Sequence, residues 1–228
     1  MVMKQQRSTA MARTSIYDST TRRIAIFIGL MFLTATATFV AGDAVVTDVL
    51  KSTRGTVDSG QLTFGVALLA VDALAVAAIG AAFVPVLHRP HRWLAYSHLA
   101  VRALECLVIV GISLYMLAEH NLVNYEPIIY VFTSTAGLLS TTAVLRTGII
   151  APWLARLGVI GYLAILAAMP IELLTGASLD SVPGMLLYVP GGMFELFLPI
   201  VLITRGFRRS DAPKVRAVSE RQPAAAAA

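Results

Sequence analysis

An all-α fold, a polytopic membrane bundle of six transmembrane helices with both termini cytoplasmic, is what this sequence predicts. Three observations predict it. Hydrophobic residues make up 57% of the 228-residue chain and charged residues only 14%, against roughly 25% charged in an ordinary soluble domain. Six segments are apolar over about 20 residues, the length at which a helix crosses roughly 30 Å of hydrocarbon. The basic residues, finally, gather at alternate ends of those segments.

The six segments run over Arg23–Gly42, Leu62–Val86, Trp93–Leu117, Pro127–Ile149, Trp153–Thr175 and Pro183–Thr204, and residues 23–205 form one transmembrane domain. A basic cytoplasmic tail, 1–22, leads into the first. That tail and the apolar run after it are both long, whereas a cleavable signal has an apolar region of roughly 7–15 residues, so an uncleaved first span is expected. Residues 43–62 form a long first outer loop. Val45, Val46, Val49 and Leu50 have helical spacing there, which fits a short interfacial helix as well as an irregular loop. Turn and charge chemistry separates the later spans at His88–Arg92 and Gly148–Pro152. Trp93 and Trp153 each begin a span, where indole rings anchor at the interface. The fourth span is rich in hydroxyls from Thr133 to Thr142, which in membrane helices bond their own backbone or a neighbouring helix. Residues 206–228 carry basic residues, Pro213, Pro223 and an alanine run, and are expected to be a disordered cytoplasmic tail.

Loop charge sets the orientation. Fifteen Lys and Arg fall in the two tails and the loops after spans two and four; only Lys51 and Arg54 fall on the opposite side, with Asp43, Asp48, Asp58, Glu119, Glu126 and Asp180. Strict alternation therefore puts both termini in the cytoplasm. The same distribution explains the net charge of +5 without nucleic acid, although the stretch from Arg205 to Arg216 can also touch anionic head groups. Cys106 is the one cysteine, which excludes an intramolecular disulfide. No His-Glu pair has zincin spacing, and neither a metal nor a cofactor is expected.

Charges inside the spans carry the functional signal. Asp72, Arg102, Glu105 and Glu195 lie in otherwise apolar segments, and an ionisable group in hydrocarbon is costly enough to mark a site. Asp72 lies about ten residues from the outer end of its span and Glu105 and Glu195 about twelve, which places all three within roughly 5 Å in depth. His98, Arg102 and Glu105 follow i, i+4, i+7 and share one helix face. Arg102 can pair with Glu105, which leaves a formal surplus of negative charge to be neutralised by a proton, a cation or water. At least one of the acids is expected to hold a proton at neutral pH. The cluster can equally serve to lock helices in register. His98 by itself reads as a satisfied polar residue rather than a ligand.

In the sixth span, Pro190-Gly191-Gly192 precedes Glu195, and Pro199 follows. A kink or short unwound stretch is expected at this hinge. Carbonyls freed beside a carboxylate would resemble the broken helices that bind ions in transporters, and a simple packing bend is the alternative.

Several short motifs recur in a known order: Thr21-Arg22-Arg23-Ile24-Ala25, Arg102-x-x-Glu105, Pro152-Trp153-Leu154 with Gly158-x-Ile160-Gly161, then Glu195 and Arg205-Gly206-Phe207. Together they make most of residues 21–208 resemble a bacterial family of six-helix membrane proteins, the domain-of-unknown-function family numbered 4386. The resemblance implies a membrane fold in the bacterial plasma membrane and marks Arg102, Glu105 and Glu195. It implies no activity, and it does not carry Asp72 or His98.

The function expected from these residues is binding or transport of a cation, proton or small amphiphile through an acidic midplane pocket, with the lipid bilayer as surroundings. An integral-membrane enzyme acting on a lipid or isoprenoid by carboxyl general-acid chemistry is the second reading. A structural or regulatory subunit is the third. Oligomeric state is not legible.

Overall fold

The computed structural model describes residues 2–51, 57–88, 91–175 and 182–208, with side chains described over 19–51, 57–88, 91–170 and 186–208. Among these residues the chain is entirely helical: α1 Val2–Lys51, α2 Ser59–Leu87, α3 Arg92–Glu119, α4 Glu126–Thr147, α5 Pro152–Thr175 and α6 Val182–Thr204. All six are long and apolar enough to cross a membrane. Arg54, Arg89, Pro90, Asp180 and the tail 209–228 lie outside the described residues, as do the side chains of Glu172 and Pro183.

Local chemistry fixes most boundaries. The Asp58 carboxylate accepts from the backbone N–H groups of Gly60 and Gln61 at 2.9 and 3.1 Å, satisfying donors that the first turn of α2 would otherwise leave bare. Helix α4 stops where Gly148 takes a left-handed φ of 66°, a conformation that costs glycine little. Five of the helices start or end within three residues of the sequence expectation.

The first helix is the exception. Residues 2–22 are helical rather than a separate tail, and α1 continues to Lys51, so the expected loop over 43–62 begins only after that residue. No glycine or proline lies between Asp43 and Lys51 to end the helix. Val46 and Val49 then pack against Leu62, Val66 and Leu69 of α2, which is a better use of their helical spacing than an interfacial helix. Asp43 is held at this end by the Tyr125 hydroxyl, which donates to it at 2.6 Å.

The helices form a closed ring. Each packs on its neighbours in sequence, α6 returns to α1, and α2 also reaches α4. Arg22, Arg92, Arg146, Arg156 and Arg205 come to one end, where Arg22 donates to the Ile203 carbonyl at 3.2 Å and the Arg208 N–H to that of Ile149 at 2.7 Å. Outside, the ring is apolar: Leu74, Leu107 and Leu186 are each about two-thirds exposed. Inside, the buried stripe of α3 reads Ala95, His98, Arg102, Glu105, Ile109, Ser113, Met116. A helix with its charges inward and leucines outward reverses the soluble pattern, and hydrocarbon is the solvent that favours the reversal.

Helix α6 remains helical through Pro190-Gly191-Gly192, so of the two expectations there the unwound stretch does not form and the packing role is the one that fits. These residues instead permit a close crossing. A Cβ on Gly161 of α5 would come within 2.6 Å of the Gly191 Cα and 2.8 Å of the Pro190 carbonyl carbon. Gly161→Ala is therefore expected to destabilise the fold by about 1–3 kcal/mol through overpacking. Gly111→Ala, whose Cβ meets open space, should be neutral or stabilising by the helix propensity of alanine. Thermal unfolding of both variants in detergent checks the contrast.

Candidate functional site

Two large apolar cores and a small third cluster of Ala35, Ala75 and Val76 fill the ring, and Asp72, Arg102 and Glu105 lie at the seam where the two large cores meet. One core lies towards the arginine end and includes Ile79, Phe83, Ala95, Phe194 and Leu198. The other lies towards the far end and includes Leu69, Ala73, Ile109 and Ile129. Along α2 the change from one core to the other falls at Asp72–Val76, and along α3 at His98–Glu105. Glu195 lies between Phe194 and Leu198 of the first core and meets Asp72 and Glu105 at the cavity.

Within the seam, Arg102 Nη1 donates to Glu105 Oε2 at 2.8 Å, with both side chains almost wholly buried. Thr133 Oγ1 of α4 donates to the other oxygen, Glu105 Oε1. Glu105 is thus held by a cation and a hydroxyl, the combination that makes a buried carboxylate tolerable. Across the ring, Tyr162 of α5 donates its hydroxyl to Glu195 Oε1 at 3.0 Å; it is the one hydrogen-bond donor to Glu195 among the described residues. Asp72 differs from both. It is 3% exposed, feels the charges of Glu105, Arg102 and Glu195, and makes no hydrogen bond to any described residue.

A cavity of about 240 Å³ joins these groups, lined by Asp72, Arg102, Glu105, Thr133 and Glu195 among apolar and aromatic side chains from α1, α4 and α6. Four of the five polar residues singled out in the sequence meet there. His98 does not. Its Nδ1 lies 3.0 Å from the Ala136 carbonyl and its ring stands edge-on to Phe83, centroids 5.4 Å apart. To donate to that carbonyl, Nδ1 must carry the ring proton; the buried Nε2 has no partner. The histidine thus ties α3 to α4 below the cavity. Of the hinge residues, Gly192 lines the cavity, while Gly191 serves the α5–α6 crossing.

Sequence reasoning missed two participants. Thr133 reads there as one packing hydroxyl among six, and it is the one that reaches Glu105. Tyr162 went unremarked, yet a tyrosine in mid-span needs a partner for its hydroxyl, and that requirement was a usable signal. Among the described residues no three His, Cys, Asp or Glu side chains converge closely enough to hold a metal ion.

Fold and site together define a class: an all-helical bundle of six helices, each long and apolar enough to cross a membrane, around a charged chamber. No family model, curated protein or solved structure matches the chain, so the resemblance to family 4386 rests on the quoted residues.

The buried pair gives a direct prediction. Glu105→Leu strands Arg102 without its partner and should cost about 3–5 kcal/mol, whereas the double variant Arg102→Leu/Glu105→Leu should recover much of that loss. A double-mutant cycle of unfolding free energies measures both. With Arg102→Leu included to complete the cycle, a double-variant cost equal to the sum of the two single costs would show that the two side chains are not coupled.

Proposed function

We propose that this protein sits in the bacterial plasma membrane with both termini in the cytoplasm, and that its central chamber binds and passes on a positively charged guest. The guest is a proton, a small cation or the ammonium group of a small amphiphile. One observation carries the reading: Asp72 is buried against the cavity without a hydrogen bond to any described residue. An ionised carboxylate in that position costs several kcal/mol unless something pairs with it. Arg102 is already committed to Glu105, and Glu195 adds a further acid on the same cavity. The surplus therefore favours a guest that brings positive charge.

A purely structural cluster accounts for Arg102, Glu105 and Thr133, which tie α3 to α4. It leaves Asp72 and the cavity without a purpose, and this favours the binding reading. The enzyme reading has no observation of its own in its favour.

Infrared spectroscopy of the purified protein tests the proposal. Without a guest at neutral pH, a protonated carboxyl C=O band is expected, shifted in D₂O and diminished in Asp72→Asn. Methylammonium chloride should diminish the same band in the wild type by displacing the proton. A wild-type spectrum with no such band and no response to methylammonium would contradict the proposal.

A further inference from the structure

The cavity has a mouth, and its position identifies the kind of guest. Of the residues lining it, only Val40 on α1 and Gly192 on α6 are exposed, the rest being buried or half-buried. The opening therefore lies between these two helices. Nearer the arginine end, α1 and α6 are in close contact: Arg22 bonds the Ile203 carbonyl, and Gly29 sits against Ile203 and Pro199. Every lining residue on α1 comes after Gly29 and every one on α6 before Pro199, so the gap opens just beyond the contact. At Gly192 a Cβ would meet nothing within 4 Å, which leaves the mouth clear.

Among the described residues, both ends of the chamber are covered. Towards the arginine end, the chamber rests on the apolar core around Ile79, Phe83 and Leu198. Towards the far end, the rings of Phe39, Tyr130 and Tyr188 bridge α1, α4 and α6, with centroids 6.3 and 5.2 Å apart in succession. The surface around the mouth is apolar, with Leu33, Val189, Met193 and Leu196 exposed. A guest using this mouth comes from hydrocarbon.

We infer that the chamber receives a single-chain cationic amphiphile, a primary alkylamine in its ammonium form, which enters sideways from the bilayer between α1 and α6. The inference rests on the reading of the chamber as a site for positive charge and names the guest. The ammonium group reaches Asp72, which no described residue hydrogen-bonds, and Glu195, which Tyr162 meets at one oxygen, and an ammonium supplies three donors. The alkyl chain cannot follow it in. A volume of about 240 Å³ is below the roughly 300–1,000 Å³ of sites that enclose whole drug-sized ligands. The chain instead lies out through the mouth, past Val40 and Gly192, where lipid already solvates it. An alkyl carboxylate of the same length would bring a fourth acid to the chamber and is excluded by charge.

The test uses the full chain in phosphatidylcholine nanodiscs with dodecylamine carrying a diazirine at mid-chain. Photolabel is expected on α1 between Thr36 and Val40 and on α6 between Tyr188 and Gly192. Unlabelled dodecylamine should compete for it and dodecanoate should not. Asp72→Asn should reduce labelling about tenfold, a full decade in apparent affinity. Gly192→Trp, which fills the mouth from the other helix, should reduce it as well, so the conclusion does not hang on one variant. Labelling spread over the lipid-facing residues Leu74, Leu107 and Leu163, or equal competition by dodecanoate, overturns the inference. Methylammonium separates this failure from the larger one. Thermal stabilisation of the wild type by methylammonium, together with unspecific photolabelling, sinks the amphiphile and spares the charge-binding chamber. No response to methylammonium either would overturn both.

Discussion

Everything in the interior of this bundle follows from placing Arg102 in the middle of an apolar ring. A guanidinium stays protonated under any ordinary condition, so it cannot shed its charge when buried and must be met by an acid. Glu105, one turn along the same helix face, meets it at 2.8 Å. That pair must then face inward, which turns the whole stripe of α3 from Ala95 to Met116 towards the axis and Leu104, Leu107 and Leu114 outward. The orientation of one helix draws Thr133 and the Ala136 carbonyl of α4 against it. The pair thus accounts for the placing of two helices in the ring.

With Arg102 committed, the remaining acids define what the ring encloses. Glu195 has a tyrosine and Asp72 has no hydrogen-bonding partner. Close packing could have buried both under apolar side chains, yet space remains between them and α1. The helix facing the acids, α1, contributes Phe32, Ala35, Phe39 and Val40 and no charge. One wall of the chamber is therefore electrically negative and the opposite wall oily. This polarity suits a guest with a charged head and an apolar tail.

Much of this was legible in the sequence because membrane solvent imposes simple rules. Apolar runs gave five of the helices to within three residues at their ends, and at Asp58 and Gly148 the cap, not the apolar run, sets the boundary. Depth along a helix is nearly linear in residue number, so Asp72, Glu105 and Glu195 could be brought to one level before any contact was known. The failures share a cause. Val46 and Val49 continue α1 because α2 offers them Leu62 and Leu69, and a partner across the fold leaves no trace in local spacing. Pro190 and Gly191 looked like a break from their own chemistry, but the backbone of α5 at Gly161 decides their role. His98 shares a face with Arg102 and Glu105 and still misses the cavity, because one further turn carries it below the chamber floor.

The most direct measurement is an experimental density map of the protein in a lipid nanodisc, inspected between α2, α3 and α6. The account predicts non-protein density beside Asp72 that reaches Glu195 and continues towards Val40 and Gly192. A chamber filled by neighbouring side chains, with a protein donor bonded to the Asp72 carboxylate, would contradict it.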